Sequence, residues 1–114
     1  MANDAVYVDF AEGAKRVMGN SGLYLRLLCK FREGPGLGPL REAFSSGDCA
    51  RLVAEAHALR GLCANLSLLE LALKCQALEA GAKEGSLDSG AFEKTEAAFA
   101  ATLAAIERTV AEHA

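Results

Sequence analysis

The stretch DCARLVAEAHALRGLCANL, residues 48–66, decides the fold of this chain. Its apolar and small side chains recur at alternating spacings of four and three, the seam by which a helix packs into a bundle. The residues on this seam are Leu52, Ala56, Leu59, Cys63 and Leu66. Asp48 follows Ser46-Gly47, a glycine helix stop, and is itself a typical N-cap. We therefore predict a helix over residues 48–65.

Amphipathic periodicity and capping residues predict five further helices. They span residues 9–18, 22–33, 39–46, 67–84 and 89–112. Ser67 and Glu70 have the spacing of a capping box, so we expect Ser67 to be the N-cap of the helix over residues 67–84. On the last helix we expect five large apolar side chains to face the core: Phe92, Phe99, Leu103, Ile106 and Val110.

Composition and helix pattern together predict the fold class. Hydrophobic residues make up 52% of the 114 residues, with two prolines and no tryptophan, and strand signals are nearly absent. We predict an all-α protein, an antiparallel up-down four-helix bundle with one or two short accessory helices on its N-terminal side. The length fits a single domain over residues 1–114, with a core bundle over about residues 22–112.

Charge and hydropathy argue against several classes of function. The 15 acidic and 12 basic residues give a net charge of -3 and are spread along the chain, without the basic stripe that nucleic acids select. No apolar stretch approaches the ~20 residues that cross a bilayer, and no basic and apolar leader follows Met1. No glycine-rich nucleotide loop follows a strand, so we expect no ATP site. We expect a soluble, cytoplasmic protein.

The four cysteines are at positions 29, 49, 63 and 75 and form no Cys-x-x-Cys pair. We interpret them as reduced thiols in the core or at its edge. A metal site that combines His57 with Cys63 or Cys75 is a weaker hypothesis, because helical bundles can build such sites inward. The main prediction is a chain with no metal site and no cofactor of its own.

His57 is the strongest candidate for a functional side chain. Its neighbours on a helix surface include Arg60 and Gly61, so one flank is cationic and another is bare. Glycine within a helix costs roughly 0.5–1 kcal/mol relative to alanine, which indicates that Gly61 keeps the histidine accessible. The alternatives are an ordinary surface histidine, a solvated arginine and a glycine that permits close helix packing.

A second side chain is expected to hold one ring nitrogen of His57 while the other keeps a free lone pair. If the helix over residues 67–84 packs antiparallel to that over residues 48–65, position 57 lies level with roughly position 75. Gln76 and Glu79 then flank the seam on one side and Lys74 on the other. This geometry leaves the choice among them open.

The segment Ala56-His-Ala-Leu-Arg-Gly61 resembles the signature of histidine-containing phosphotransfer (Hpt) domains. Asn65-Leu66, a leucine-rich helix ending in Gln76-Ala-Leu-Glu79, and the upstream segment Tyr24-Leu-Arg-Leu-Leu are also similar to that family. Two positions differ from the usual pattern, since Arg60 stands where lysine is commoner and Ser67 where glycine or alanine is more usual. Arginine keeps the charge and can hold two phosphate oxygens.

The resemblance implies a phosphorelay intermediate of two-component signal transduction. In that family's chemistry, His57 accepts a phosphoryl group from the aspartyl phosphate of one receiver domain, becomes phosphohistidine, and donates the group to the aspartate of another. The resemblance gives Arg60 the role of phosphate stabiliser and Gly61 that of steric access. It also favours Glu79 as the residue that orients the imidazole. The chain would be a phosphotransfer carrier without an ATP site.

The resemblance also implies partners. These would be receiver domains of response regulators, a hybrid sensor histidine kinase, or both, and the receiver would bring Mg²⁺. We expect them to dock on small exposed residues beside the histidine, Ala54, Ala58 and Ala64. We expect a monomer. The alternative function is an Hpt-like interaction module that binds a receiver or kinase and regulates it without carrying phosphate.

Overall fold

The computed structural model describes residues 6–113, and this part of the chain contains six α-helices and no β-strand. The prediction of an all-α protein is confirmed, and each predicted helix is present with ends shifted by at most one or two residues. The four long helices are α2 (Ser21–Glu33), α4 (Cys49–Asn65), α5 (Leu69–Lys83) and α6 (Ser89–His113). The two short helices are α1 (Phe10–Arg16) and α3 (Gly38–Ser45). Within residues 6–113, no helix has the length and apolar character needed to span a lipid bilayer.

Aspartate side chains begin three of the helices. Asp9, Asp48 and Asp88 each accept a hydrogen bond from the backbone N–H three residues ahead, at 3.0–3.1 Å. These bonds satisfy donors that have no partner within the helix. The N-caps fix the starts of α1, α4 and α6, and Asp48 is the N-cap that the sequence predicts for α4.

The turn between α4 and α5 contradicts one prediction, because Ser67 is not the N-cap of α5. Ser67 has a φ of 57°, in the left-handed region. Its N–H donates to the carbonyl of Ala64 at 3.2 Å, and the N–H of Leu68 donates to that of Cys63 at 2.9 Å. This is a Schellman motif, in which Ser67 closes α4 at the position that favours glycine. The capping-box pattern predicted the wrong role for Ser67, because this residue ends α4 and does not start α5.

Residues 6–9 pack across this turn. The N–H of Asp9 donates to the carbonyl of Ser67 at 3.0 Å, and the N–H of Glu70 donates to the carbonyl of Val6 at 2.8 Å. The backbone of Val6 therefore satisfies a donor at the start of α5 that a capping side chain would otherwise take. Ser67 is fully buried as a result, and its Oγ has no hydrogen-bond partner among the described residues.

The core consists of two clusters of buried residues, and α4, α5 and α6 contribute to both. One cluster joins these helices to α2, and the other joins them to α3. On the seam predicted for α4, four residues are buried and Leu59 is half-buried between the clusters. The seam thus faces inward, and a second row of side chains that includes His57, Arg60 and Ala64 lies beside it, towards solvent.

The core face of α6 differs in part from the prediction. Of the five large side chains expected to face the core, Phe92 and Ile106 are buried and the other three are half-buried at its edge. Four small residues are buried as well: Thr95, Ala98, Thr102 and Ala105. Small side chains let α6 approach its neighbours closely. The two buried threonine hydroxyls donate to the carbonyl four residues back, at 2.9 and 2.7 Å, which makes their burial tolerable.

Candidate functional site

His57 lies in the middle of α4, and 64% of its side chain is exposed. The seam residue before it, Ala56, is fully buried. Successive residues of a helix point about 100° apart, so burial of Ala56 directs His57 to the edge of the core face. A reactant can therefore reach the imidazole ring from solvent.

The carboxylate of Glu79 on α5 contacts three basic side chains at once. Its Oε2 lies 3.0 Å from Nδ1 of His57 and 3.4 Å from Nζ of Lys83. Its Oε1 accepts a hydrogen bond from Nε of Arg60 at 3.0 Å. Only 6% of the Glu79 side chain is exposed. A carboxylate this buried is tolerated because it is paired, and the pairing fixes the imidazole against α5.

Two opposing effects act on the ionisation of Glu79. Burial raises the pKa of this carboxyl, but hydrogen bonds from His57, Arg60 and Lys83 lower it by more, so the pKa lies below its ordinary value. Glu79 is therefore a carboxylate at neutral pH. It can accept a hydrogen bond from an N–H at Nδ1 of His57, a tautomer in which the lone pair of Nε2 is free.

Arg60 bridges Glu79 and His57. While its Nε bonds Glu79, its Nη2 lies 3.0 Å from Nδ1 of His57. Arg60 is thus next to the imidazole, as the resemblance implies for a phosphate stabiliser, but its guanidinium is engaged with the carboxylate and with a ring nitrogen. The arrangement places one buried anion, Glu79, and two cations, Arg60 and Lys83, around the imidazole ring.

Gly61 is exposed on α4, one turn after His57. A Cβ at this position would meet nothing within 4 Å. Close packing of this chain's own helices therefore does not require a glycine here, which removes the structural alternative raised by the sequence. The empty space beside His57 lies on the solvent side.

The comparison with protein families bears on this site directly. The family model described as Hpt domain matches residues 37–110, more than half of the chain. This chain belongs to the Hpt domain family. At the level of the family, this membership supports phosphotransfer in two-component signalling. No curated protein and no solved structure matches the chain.

The matched part of this Hpt domain contains α3, α4 and α5 and most of α6. It includes His57, Arg60, Gly61 and Glu79. Helices α1 and α2 lie outside it, so the similarity that the sequence shows around Tyr24 is not part of the match. Family membership therefore covers the helices that carry the site.

Several small or apolar side chains are exposed on the surface of the Hpt domain near His57. Ala54, Ala58 and Ala64 are all exposed on α4, as the sequence predicts. Leu62 lies one turn after Ala58 and is 47% exposed. It borders an apolar cavity of about 310 Å³ between α2 and α4. Sequence reasoning did not single out Leu62, although its position off the buried seam was a signal of exposure.

Lys83 is the site residue that sequence reasoning missed. It follows Glu79 by four residues on α5, the spacing at which a glutamate and a lysine meet on a helix, and this spacing was available in the sequence. Of the other two residues considered as orienters, Lys74 pairs with Glu70 at 3.0 Å, and Gln76 is exposed beside Arg60 and Glu79. Glu79 is the one that contacts His57.

The cysteines of this Hpt domain are free thiols. Cys63 and Cys75 are buried, and burial raises the pKa of both, that of Cys75 to about 12. Cys29 and Cys49 are half-buried at the edge. Within residues 6–113 no group of three or more potential metal-ligating side chains is close enough to hold a metal ion.

Proposed function

We propose that this Hpt domain is a phosphorelay intermediate whose phosphoacceptor is Nε2 of His57. The observation that carries the proposal is the exposed imidazole with its Nδ1 held 3.0 Å from a buried carboxylate. A proton on Nδ1 that bonds Glu79 leaves the lone pair on Nε2, and Nε2 makes no hydrogen bond among the described residues. That nitrogen is then available to attack phosphorus.

The transfer step needs little chemistry from this chain. The Nε2 lone pair attacks the phosphorus of an aspartyl phosphate, the aspartate carboxylate leaves, and the N–P bond replaces the O–P bond. The ring becomes positively charged and keeps its proton on Nδ1, where the carboxylate of Glu79 stabilises it. Transfer to a second receiver is the reverse reaction with a different aspartate. Phosphoryl transfer depends mainly on positioning and charge neutralisation, which the two proteins share.

Arg60 and Gly61 have supporting roles in this proposal. Arg60 lies 3.0 Å from the ring and carries a charge that would stabilise the transferring phosphoryl group. Gly61 would leave room for a receiver to approach. A Cβ at this position would have no protein atom within 4 Å, so it would occupy space that a partner can use. This chain needs no cofactor of its own, and Mg²⁺ would be bound by the receiver.

We further propose the partners and setting of the domain. Receiver domains of response regulators, or those of a hybrid sensor histidine kinase, would dock on Ala54, Ala58 and Ala64 together with Leu62. The protein would be a cytoplasmic monomer. The four long helices would form an antiparallel up-down bundle, which is supported by the three-residue connection between α4 and α5 and by the packing of α6 on α5 and α2.

A phosphate-labelling experiment tests the phosphorelay proposal. The full chain is mixed with radiolabelled phosphorylated receivers from the same cell, and label on the Hpt domain is followed. We expect an acid-labile, alkali-stable adduct that is lost in His57→Ala.

His113→Ala is the matched control, because it removes the other histidine of the chain. In the structure His113 stacks on Phe10 and its Nδ1 lies 2.9 Å from the carbonyl of Thr109, so it has a local structural contact. Label on His57→Ala, or loss of label in His113→Ala with the fold intact, would contradict the assignment. Receiver binding without any labelling, unchanged in His57→Ala, would favour the non-phosphorylated interaction module.

A further inference from the structure

Two apolar cavities lie side by side on the surface near His57. The larger, of about 310 Å³, lies between α2 and α4. The smaller, of about 170 Å³, lies between α4, α3 and the segment that joins α2 to α3. Their linings share four residues: Pro35, Gly36, Leu59 and Leu62. The two cavities therefore form one apolar surface, which we call the α2–α4 surface.

Each cavity has a single charged residue in its lining. Lys30 of α2 lines the larger cavity and is exposed, and Glu55 of α4 lines the smaller one and is half-buried. Within residues 6–113 neither of them forms an ion pair. Arg51, one turn before Glu55 on α4, is bonded instead to Glu42 at 2.7 Å. The α2–α4 surface thus presents one cation and one anion whose charges no neighbouring ion pair neutralises.

A partner that reaches His57 can also reach this surface. Successive residues of a helix point about 100° apart, which places Ala54, Ala58 and Gly61 on α4 between His57 and Leu62. None of the three has a side chain larger than a methyl group, and Ala58 itself lines the smaller cavity. A protein that contacts the imidazole can therefore lie across α4 and insert side chains into both cavities.

We propose that the α2–α4 surface selects the receiver, and that Lys30 and Glu55 are its specificity-determining residues. A receiver that fits places apolar side chains in the two cavities, a carboxylate next to Lys30 and a basic side chain next to Glu55. The inference rests on the proposed function for the class of partner, and it adds which receivers are accepted.

The two parts of the surface have different effects on binding. The cavities bind any partner with a complementary apolar patch, whereas complementary charges give specificity and speed association more than they add affinity. A receiver whose charges are exchanged would bring like charges together at both positions and would be rejected.

Binding of unphosphorylated receivers tests the charges without any phosphoryl transfer. Association rates of the full chain with the receivers of the labelling experiment are measured by surface plasmon resonance. For the receiver that binds the wild type most tightly, Lys30→Glu and Glu55→Lys should each lower the association rate constant by roughly five- to tenfold at low ionic strength. The loss should be smaller at high ionic strength, because salt screens exposed charges. Lys94→Glu and Glu107→Lys make the same charge changes at exposed positions of α6 and should leave the rate unchanged.

Leu62→Gln tests the apolar part. Leu62 lines both cavities and is 47% exposed, so its replacement should weaken receiver binding by at least about tenfold while the protein stays folded in a thermal melt. Leu73→Gln is the matched control. Leu73 is 58% exposed on α5 and lines neither cavity, so this variant should bind the receiver like the wild type.

A small phosphodonor separates docking from the chemistry of the histidine. Phosphoramidate phosphorylates an imidazole nitrogen with loss of ammonia and has no surface to dock. Its rate of labelling at His57 should be the same in the wild type, Lys30→Glu, Glu55→Lys and Leu62→Gln. A scan of the receiver that replaces its acidic residues by lysine should find one variant that restores binding to Lys30→Glu.

Several results would overturn the inference. These are unchanged association rates in both charge variants, equal losses in the controls on α5 and α6, or slower labelling by phosphoramidate in the variants. Altered self-association in sedimentation, with receiver binding unchanged, would show that a second copy of the chain occupies the surface and would also overturn it. The expected binding pattern without label on His57 from any receiver would instead refute the proposed function and support the docking surface.

Discussion

Replacing Ser67 by glycine should make the protein more stable. Ser67 has a φ of 57°, and the left-handed conformation costs a residue with a Cβ roughly 1–2 kcal/mol. Its hydroxyl is fully buried without a partner among the described residues, and such a group costs about 1–3 kcal/mol. Glycine removes both penalties but loses roughly 0.5–1 kcal/mol through the greater freedom of the unfolded chain. Taken at their least favourable ends, these three contributions still leave a net gain of about 1 kcal/mol, so the gain should be at least that large.

Thermal unfolding is the assay for this prediction. At about 2.1 cal/mol/K per residue, the unfolding entropy of a 114-residue chain makes 1 kcal/mol worth about 4 °C. Ser67→Gly should therefore raise the Tm by at least about 4 °C. Urea unfolding should show a higher midpoint with an unchanged slope, since the surface exposed on unfolding is the same.

Two control variants separate the two contributions. Ser67→Ala removes the hydroxyl but keeps the left-handed Cβ, so it should give a smaller gain. Met18 has a φ of 62° and is 95% exposed, so Met18→Gly reports relief of the backbone conformation alone, and we expect about 0.5 kcal/mol. If Ser67→Gly is neutral or destabilising while Met18→Gly stabilises, the reasoning about the buried hydroxyl is refuted.

Three further predictions concern the site and the packing of α1. Gly61→Ala should stabilise the fold by about 0.5–1 kcal/mol through helix propensity yet slow phosphoryl transfer from a receiver by about tenfold or more. Gly81→Ala, at a helical glycine whose surroundings are equally empty, should stabilise similarly without slowing transfer, and equal rates in both variants would contradict the role of Gly61. The pKa of Glu79 in the folded state lies below its ordinary value of 4.5, so ionisation of this carboxyl stabilises the fold at pH values above 4.5. This stabilisation is lost as the pH falls through the lowered pKa. Glu79→Gln should therefore flatten the loss of stability seen by urea unfolding between about pH 6 and pH 3, and an unchanged acid limb would count against the pairing. Gly13→Ala should destabilise by about 1–3 kcal/mol, because a Cβ there would overlap the ring of Tyr24 and push α1 away from α2; a melt at the wild-type temperature would show that α1 moves freely.

The pattern of the site shows what local spacing can predict. His57, Arg60 and Gly61 belong to one helix, so their mutual positions follow from the helical repeat and were available in the sequence. Glu79 comes from another helix, and spacing left Lys74 and Gln76 open beside it until the resemblance favoured Glu79. Lys83 was missed because an exposed lysine one turn from a glutamate is common on helices, and only burial of that glutamate makes the lysine part of the site.

By itself the sequence determined the helical class, the number and extent of the helices and the row of α4 that faces outward, because these depend on hydrophobic periodicity and on capping over short distances. The tertiary structure decided which small residues of α6 are buried and that Ser67 closes α4, since both depend on what packs against them. It also decided that Nδ1 of His57 lies between a carboxylate and a guanidinium. That contact joins α4 to α5, and no spacing along the chain fixes the angle and distance between two helices to within a hydrogen bond.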